Sequence, residues 1–229
     1  MQLSKRLKAV ASLVTPSHAV ADVGCDHGYI PIYLIQEGIA QKAIAMDVNV
    51  GPLEVAKENI EAHQCSAGIE TRLSDGVNAL APHEVKTVVI AGMGGNLVMK
   101  ILAEGQATLT TVRELILQPQ SEIAEVRKFL QAKGYSIVAE DMICEDGKYY
   151  PMMKVKLGEM NLTREIDFIY GAFLLKEKNP ILKQFLEKEK ETLGKISKQI
   201  SEAGSMTARQ DEIEQEMCLN QSALDEYEQ

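Results

Sequence analysis

Residues 18–28 read His18-Ala19-Val20-Ala21-Asp22-Val23-Gly24-Cys25-Asp26-His27-Gly28, an apolar segment that runs into a short loop of glycines and acids. The apolar part predicts a buried strand, and the glycines let the backbone turn sharply and approach a ligand. The helix that follows would offer free N–H groups to that ligand. The dinucleotide fingerprint G-x-G-x-x-G does not fit, because Asp26 and Tyr29 occupy two of its glycine positions.

Further along the chain, apolar segments alternate with helical patterns as far as residue 134. After the strand at residues 18–23, strands are predicted at residues 42–48, 69–74, 87–91 and 113–117. Helices lie between most of them, and Asn96 and Ser121 are the predicted N-cap residues of two of these helices. The alternation predicts a parallel sheet with helices on both faces.

The segment after residue 134 breaks this alternation, because two strands follow each other with no helix between them. Residues 135–144 and 148–157 have strand patterns, and Asp146-Gly147 is a tight-turn signal, so they form an antiparallel hairpin. A mostly parallel, Rossmann-like sheet of seven strands that ends in such a hairpin is the usual pattern of class I methyltransferases. Nicotinamide-binding Rossmann domains would continue with parallel crossovers.

Residues 160–229 have no strand signal and are predicted to form two helices. Apolar residues follow a three–four spacing on both sides of a small-residue break at residues 203–205. The pattern predicts an antiparallel coiled-coil hairpin, with Glu189 and Asn220 at positions expected to be apolar. We therefore predict two domains, residues 1–159 and residues 160–229.

The charge distribution excludes a protein that binds nucleic acid over its whole surface. The chain has 24 basic and 33 acidic residues and a net charge of −9. Positive charge is nevertheless concentrated locally: residues 176–198 contain seven lysines and four glutamates, and residues 1–18 contain three cations and no acid. Such patches can meet phosphate.

The composition also excludes a membrane-spanning protein, because no run approaches the roughly 18 apolar residues that a span needs. The four cysteines are widely spaced and the four histidines show no metal-ligand spacing, so no metal is expected. Isolated cysteines favour a reducing cytoplasm.

Three strand ends contain the candidate cofactor-binding residues. The first loop has the spacing of the methyltransferase glycine loop, acid-x-Gly-x-Gly-x-Gly, with Asp26 in place of the middle glycine. Asp47 ends the second strand, where a carboxylate accepts hydrogen bonds from both ribose hydroxyls of either NAD or S-adenosylmethionine. Asp75-Gly76 ends the third strand, although Asp-Gly is often only a turn. The predicted cofactor-binding residues are Asp22, Gly24, Cys25, Asp26, Gly28, Asp47, Asp75, Gly76 and Gly92.

The fourth strand ends in Gly92-Met93-Gly94-Gly95, where the methyl acceptor of such enzymes usually lies. Three glycines in four residues would let a flat base lie close to the backbone; the structural alternative is a flexible turn. His27 and Tyr29, at the mouth of the first loop, could stack on a base or assist proton movement, or else pack within the turn.

Absent motifs narrow the chemistry further. The chain lacks the Asn/Asp-Pro-Pro-aromatic motif of exocyclic amino methylases, and neither Cys25 nor Cys144 is well placed as the nucleophile of a pyrimidine C5 methylase. Adenine N1 has an available lone pair at neutral pH, so positioning supplies most of the rate without a strong base. A glycine-rich acceptor loop with no obvious base is compatible with N1 methylation.

These features together resemble a known family, the bacterial tRNA adenine-22 N1-methyltransferases, or TrmK family. The matching stretches run in order over roughly four-fifths of the chain. They are Leu3-Ser4-Lys5-Arg6-Leu7, Asp22-Val23-Gly24-Cys25-Asp26-His27-Gly28-Tyr29-Ile30-Pro31, Gly51-Pro52, Ile90-Ala91-Gly92-Met93-Gly94-Gly95, Leu115-Ile116-Leu117-Gln118-Pro119, Glu145-Asp146-Gly147-Lys148 and Phe173-Leu174-Leu175-Lys176-Glu177-Lys178-Asn179.

The resemblance implies a class I methyltransferase domain followed by a coiled coil. It also implies S-adenosyl-L-methionine as methyl donor and N1 of an adenine in the tRNA D-arm as acceptor. Asp47 would bind the cofactor ribose, Asp75 the adenine, and residues 24–28 the methionine end. The implied catalytic residues, which shape the slot for a flipped base, are His27, Tyr29, Met93, Gly94, Gly95, Gln118 and Pro119. The implied RNA-binding residues, which hold phosphates, are Lys5, Arg6, Lys176 and Lys178.

The chain departs from the family pattern at three places. Asp47 replaces the usual glutamate, Gln120 replaces an asparagine after strand five, and Pro151 replaces a glutamate in the hairpin. The proline removes a hydrogen-bond donor from the sheet and therefore predicts an edge strand or a bulge.

Other hypotheses stay open at this point. A methyltransferase for a small molecule or protein is favoured slightly by the acidic total charge and disfavoured by the coiled coil. A non-catalytic protein with a degenerate Rossmann domain is disfavoured by the intact acids and glycines. An NAD-dependent oxidoreductase ranks last. We expect a cytoplasmic protein that is a monomer rather than a dimer.

Overall fold

The computed structural model describes residues 3–202 and 208–228. The chain divides into two compact units, Met1–Met160 and Asn161–Gln229. The sequence places its domain boundary between residues 159 and 160.

The first unit contains a single sheet. Its strands are β1 (Ser17–Val23), β2 (Ala40–Asp47), β3 (Ile69–Leu73), β4 (Thr87–Met93), β5 (Glu114–Pro119), β6 (Tyr135–Glu145) and β7 (Lys148–Leu157). Among the described residues these seven strands have the order β3-β2-β1-β4-β5-β7-β6. Strands β1 to β5 pair in parallel, and β7 is antiparallel to both β5 and β6. The predicted fold class is therefore confirmed.

Helices cover the sheet and complete its core. They are α1 (Lys5–Ser12), α2 (Tyr29–Gln36), α3 (Val50–Ala62), α4 (Gly95–Glu104), α5 (Gln106–Leu109) and α6 (Ile123–Ala132). The central strands are fully buried, as Val88, Val89, Ile90 and Ile116 show. They read as continuous apolar runs because helices shield both faces of a parallel sheet.

The order of the strands determines where a ligand can bind. After β1 the chain crosses to β2 on one side, whereas β4 pairs with β1 on the other side. The loops that leave β1 and β4 therefore diverge and open a crevice at the carboxyl ends of these two strands. Open α/β sheets bind their ligands at such a topological switch point.

Two predicted helix caps are wrong. Helix α4 begins at Gly95 with Gly94 as its N-cap, two residues before the predicted Asn96. Helix α6 has Glu122, not Ser121, as its N-cap. The Ser121 hydroxyl instead accepts a hydrogen bond of 3.2 Å from the N–H of Gly95, so it caps α4 from a separate part of the chain.

The terminal hairpin turns at Asp146-Gly147, as predicted, and both residues have positive φ (51° and 76°). The expectation of an edge strand at Pro151 is wrong for the strand as a whole, because β7 lies between β5 and β6. Strand β5 pairs only with residues 153–155 of β7, so Pro151 lies beyond that ladder. The missing N–H of the proline therefore leaves the β5 pairing intact.

The segment after α1 is fixed to the sheet by buried polar groups. The carboxylate of Glu114, only 1% exposed, accepts hydrogen bonds from the backbone N–H and the hydroxyl of Thr15, both at 2.8 Å. Lys154 lies 3.3 Å from the same carboxylate. These contacts offset the cost of burying the Glu114 carboxylate, because a buried charge is costly unless it is paired and hydrogen-bonded.

The second unit is helical. Its elements are a π-helical turn (Asp167–Gly171), α7 (Ala172–Lys176), α8 (Pro180–Glu202) and α9 (Ala208–Asp225). Helices α8 and α9 pack antiparallel and bury Leu182, Leu186, Leu193 and Ile213. The predicted break at residues 203–205 lies outside the described residues.

The two polar residues in the apolar stripe are hydrogen-bonded to each other. The Asn220 amide donates to the carboxylate of Glu189 at 2.9 Å and to the carbonyl of Leu186 at 3.0 Å. The Tyr170 hydroxyl donates to the same carboxylate at 2.7 Å. Burial and this carboxylate both raise the pKa of Tyr170. The bonded polar groups fix the register of the two helices, a known use of polar residues in coiled coils.

Candidate active site

The loop after β1 is shaped by two glycines. The N–H groups of Gly24 and Cys25 both donate to the carbonyl of Met46 at 2.8 Å, which turns the chain at the end of the sheet. Gly24 and Gly28 have φ of +71°, a conformation that side chains rarely adopt. A Cβ at Gly28 would also lie 3.2 Å from the Cβ of Ala56.

A pocket of about 270 Å³ opens at the carboxyl ends of β1 and β4. Its walls are the loop after β1 on one side and Ala91, Gly92 and Gln120 on the other. Arg6 of α1 also lines it. The pocket therefore lies at the switch point, where the topology favours ligand binding.

Two acids lie close together at this edge of the sheet. Asp22 lines the pocket and is 4% exposed, and Asp47 is 9% exposed. Burial, followed by the charge of Asp47, raises the pKa of Asp22 to about 7. Asp22 has no side-chain hydrogen bond within the part of the chain that the structure describes. A buried carboxylate of this kind is stabilised by a cationic ligand.

The thiol of Cys25 is neutral for the same reason. Burial raises its pKa, and the negative charges of Asp22 and Asp47 raise it further. A protonated thiol is a poor nucleophile, so Cys25 contributes packing to the loop rather than covalent chemistry.

The carboxyl end of β2 combines a carboxylate with exposed apolar side chains. Asp47 is aligned with Leu73 at the end of β3 and is followed by Val48. Leu73 and Val48 are 55% and 58% exposed. Asp75 is exposed, and Gly76 turns the chain with φ of +57°. An acid beside an apolar surface suits a nucleoside, whose base is flat and whose ribose carries hydroxyls.

The end of β4 is held by Gln118. Its side-chain oxygen accepts hydrogen bonds from the N–H of Gly92 at 3.2 Å and from Nη1 of Arg6 at 3.0 Å. Its amide nitrogen donates to the carbonyl of Pro119 at 3.3 Å. Gln118 is fully buried, so it supports the pocket wall from behind rather than facing the open space.

The other glycines of this loop serve packing. A Cβ at Gly94 would lie 3.2 Å from the Ser121 hydroxyl, and a Cβ at Gly95 would meet the backbone carbonyl of Ser121. The space beside both glycines is thus filled by the start of the segment that leads into α6. Met93 lies between the two loops, because a Cβ at Gly24 would meet its terminal methyl group.

His27 and Tyr29 form an aromatic pair in the pocket lining. Their ring centroids are 5.4 Å apart with an interplanar angle of 31°. Tyr29 is 37% exposed. The His27 carbonyl accepts a hydrogen bond of 2.9 Å from the Asn59 side chain, which ties the loop to α3. Two neighbouring rings at the mouth of a pocket offer a surface on which a base can stack.

The predicted RNA-binding cations are in different environments. Lys5 is exposed on α1, and Lys176 and Lys178 are exposed in the second unit. Arg6 differs, since its guanidinium lines the pocket and lies 5.8 Å from the ring of Tyr150.

The structure thus brings together one part of the predicted site. The pocket lining contains Asp22, Gly24, Cys25, Asp26, His27, Tyr29, Gly92 and Arg6. Asp47, Asp75 and Gly76 lie at the neighbouring strand ends, Gly28 caps α2, and Met93, Gly94, Gly95, Gln118 and Pro119 pack around or behind the pocket wall. Within residues 3–202 and 208–228 there is no cluster of three metal-ligating side chains.

Val48 and Leu73, exposed at the ends of β2 and β3, were not identified from the sequence. Gln120, which would have to remake the contact of the asparagine it replaces, lines the pocket. Val48 directly follows the strand-end acid, and an apolar residue at that position is a sequence signal that could have identified it. None of the helices that the structure describes is long and apolar enough to cross a membrane.

Comparisons with known proteins support these observations. A curated relative, the tRNA (adenine(22)-N(1))-methyltransferase of Bacillus subtilis, is 33% identical over 208 residues, which cover 89% of this chain and 87% of that protein. A Streptococcus pneumoniae crystal structure has a TM-score of 0.91 at 37% identity and covers 97% of this chain and 100% of that one. A second structure of that protein, in complex with S-adenosyl-L-methionine, has a TM-score of 0.87 at 36% identity and covers the same shares of the two chains.

A family model also matches most of the sequence. It is described as TrmK, tRNA (adenine(22)-N(1))-methyltransferase, and it aligns with residues 20–222. The chain therefore belongs to the TrmK family of tRNA (adenine(22)-N(1))-methyltransferases.

Proposed function

We propose that this chain transfers a methyl group from S-adenosyl-L-methionine to N1 of adenine 22 in the D-arm of tRNA. The observation that carries the proposal is the pocket at the switch point, which joins a buried carboxylate, a glycine loop and an aromatic pair. Family membership and the cofactor complex of the S. pneumoniae relative support the same activity.

The residues present fit this cofactor. S-adenosyl-L-methionine supplies an electrophilic methyl group on a positively charged sulfonium. Asp22 offers a buried carboxylate without a side-chain partner among the described residues, which suits a ligand of positive charge. Asp47 would accept hydrogen bonds from the ribose hydroxyls, and Val48 and Leu73 would cover the adenine, with Asp75 at its edge. Residues 24–28 would wrap the methionine end.

The acceptor needs positioning more than acid–base help. The N1 lone pair of adenine forms the new bond to carbon while the bond between carbon and sulfur breaks, and N1 has no proton to lose. The products are a cationic 1-methyladenine and a neutral thioether. His27 and Tyr29 would stack on the flipped base, and the wall built by Gly92 and Gln118 would limit its depth.

The exposed lysines would provide the remaining contacts. Lys5, Lys176 and Lys178 would meet tRNA phosphates, so tRNA affinity should fall steeply with salt. In this proposal the first unit contains the chemistry, the helical unit adds RNA contacts, and the enzyme acts as a monomer in the cytoplasm, where its substrate is found.

The test is methyl transfer from labelled cofactor to an unmodified tRNA transcript, followed by primer extension. We expect a single stop at adenine 22, because methylation at N1 blocks Watson–Crick pairing. A transcript with guanine at position 22 is the matched control and should accept no label. Cofactor binding without any transfer to tRNA would contradict the proposal and favour a small molecule or protein as the acceptor.

A further inference from the structure

Arg6 is a cation that lines the pocket without a carboxylate partner. Its side chain has no ion pair within the described part of the chain, and its Nη1 donates instead to the neutral Gln118 amide at 3.0 Å. A guanidinium has five N–H donors and remains charged at every pH in which the protein is folded. Its charge and part of its donors are therefore available to a ligand in the pocket.

The position of Arg6 is fixed from two sides. Gln118 is fully buried and also accepts from Gly92, so the hydrogen bond joins the guanidinium to the end of β4. Tyr150 of β7 provides a ring 5.8 Å from Cζ of Arg6. Gly92 has φ of +80°, a conformation that side chains rarely adopt, and a Cβ there would lie at van der Waals distance, 3.4 Å, from Nη1 of Arg6.

The helix that carries Arg6 is held by the tip of the hairpin. The carboxylate of Glu145, the last residue of β6, accepts from the N–H of Lys5 at 2.6 Å and from the N–H of Arg6 at 3.4 Å. The first turn of α1 is thus capped by a residue almost 140 positions away, in addition to its local cap Ser4. Two of the family-like stretches, residues 3–7 and residues 145–148, therefore meet here.

We propose that Arg6 is an oxyanion-binding residue of the methyl-transfer pocket and that Glu145 is the positioning residue that directs it. The inference rests on the proposed function and deepens it. Two oxyanions would reach this pocket: the carboxylate of the cofactor's methionine group and a phosphate next to the target adenine. The presence of Asp22 in the same pocket favours the carboxylate, because an acid and a guanidinium that are not paired with each other match the ammonium and carboxylate of one amino acid.

The experiment compares S-adenosylmethionine with decarboxylated S-adenosylmethionine on the full chain by titration calorimetry. The variants are Arg6→Gln, Arg6→Lys and Glu145→Ala. The matched control is Lys8→Gln, because Lys8 is an exposed cation of the same helix and does not line the pocket. We expect Arg6→Gln to weaken binding of the normal cofactor about 10- to 100-fold and to leave the decarboxylated compound within about twofold.

The other variants refine this result. Arg6→Lys keeps the charge but loses the planar fork, so its effect should lie between wild type and Arg6→Gln. It also keeps the test informative if Arg6→Gln does not fold. Glu145→Ala should weaken the normal cofactor selectively but by less, and Lys8→Gln should change neither compound.

If the oxyanion is a phosphate, Arg6→Gln leaves cofactor binding unchanged, raises the KM for tRNA and lowers the salt slope by about one. Equal weakening of both cofactor compounds would show a purely structural role and overturn the inference. The inference would also be overturned if Arg6→Gln had the wild-type cofactor affinity, KM for tRNA and salt slope. Selective loss of the normal cofactor in a chain that does not methylate tRNA would refute the proposed function and leave this inference standing.

Discussion

The loops after β1 and β4 leave neighbouring parallel strands and both contain closely spaced glycines, but these glycines are required for different reasons. In the first loop, Gly24 and Gly28 have positive φ, and Gly24 borders the pocket. In the second, Gly94 and Gly95 have ordinary backbone angles, and the segment that leads into α6 fills the space beside them. Only Gly92 of that loop both faces the pocket and has positive φ. A glycine-rich strand end is thus as much a packing device as a ligand site.

The largest effect should come from Gly95→Ala, which tests the packing role directly. Its Cβ would meet the Ser121 carbonyl and would lie 3.0 Å from Val126, so backbone must move. We expect the free energy of unfolding to fall by about 3 kcal/mol in denaturant titrations. Gly51→Ala is the matched control, because nothing lies within 4 Å of that position. The effect of Gly51→Ala should stay within about 1 kcal/mol. Equal losses of stability in the two variants would contradict the packing role of Gly95.

The next prediction concerns Asp22, a buried acid near the end of β1 that has no counterpart in β4. Asp22 titrates at about 7 in the folded chain and near 3.8 when unfolded. The folded chain therefore keeps a proton that the unfolded chain releases, and stability falls as pH rises through this window. Between pH 5 and pH 7, the free energy of unfolding of the wild type should fall by about 2 kcal/mol more than that of Asp22→Asn.

The matched control for Asp22 is Asp75→Asn at the end of β3. The Asp75 side chain is exposed and forms no ion pair with any of the described residues, so the variant should keep the pH dependence of the wild type. Cofactor binding offers a second readout: because the ligand is cationic, its affinity for wild type should rise with pH towards 8, and Asp22→Asn should flatten that rise. A flat profile in wild type would refute the assignment.

A smaller effect is expected for Gly24→Ala. Positive φ costs a residue with a Cβ about 1–2 kcal/mol, and the added carbon meets only the flexible end of Met93. The double variant Gly24→Ala/Met93→Ala should therefore recover cofactor affinity lost to the steric contact, whereas the loss of stability from φ should persist. If calorimetry shows no recovery of cofactor affinity in the double variant, the backbone conformation alone causes the loss.

The smallest effects separate the predicted cap of α4 from the observed one. Ser121→Ala removes the acceptor for the Gly95 N–H and should cost about 1 kcal/mol in thermal unfolding. Asn96 is exposed, so Asn96→Ala should change stability by about 0.5 kcal/mol or less. If Asn96→Ala cost more stability than Ser121→Ala, Asn96 would be the cap of α4, as the sequence predicts.

Local patterns predicted much of the fold. The apolar runs predicted the strands, and Asp146-Gly147 predicted the turn of the hairpin. Asp47 lies at the end of β2, as its position after an apolar run predicted. Each of these signals lies within a few neighbouring residues. The coiled-coil stripe likewise predicted two helices and identified Glu189 and Asn220 as exceptions.

What the sequence could not predict depends on packing between distant segments. Arg6 looked like a surface cation because nothing near it in the chain shows that Gln118, 112 residues later, would bind it in the pocket. Ser121 looked like a cap for its own helix, although its hydroxyl serves α4. Glu189 and Asn220 looked like defects because their hydrogen bond joins positions 31 residues apart.

The contacts that hold α1 also affect the order in which the protein folds during synthesis. Lys5 depends on Glu145, and Thr15 depends on Glu114, so each partner leaves the ribosome long after the helix itself. Strands β1 to β4, with both glycine loops, can assemble earlier, since loop closure over such distances is slow. A nascent chain that ends before residue 145 should therefore contain most of the sheet but lack the Glu145 carboxylate that holds α1. Helix α1 is synthesised before the residues that hold it and reaches its final position only after them.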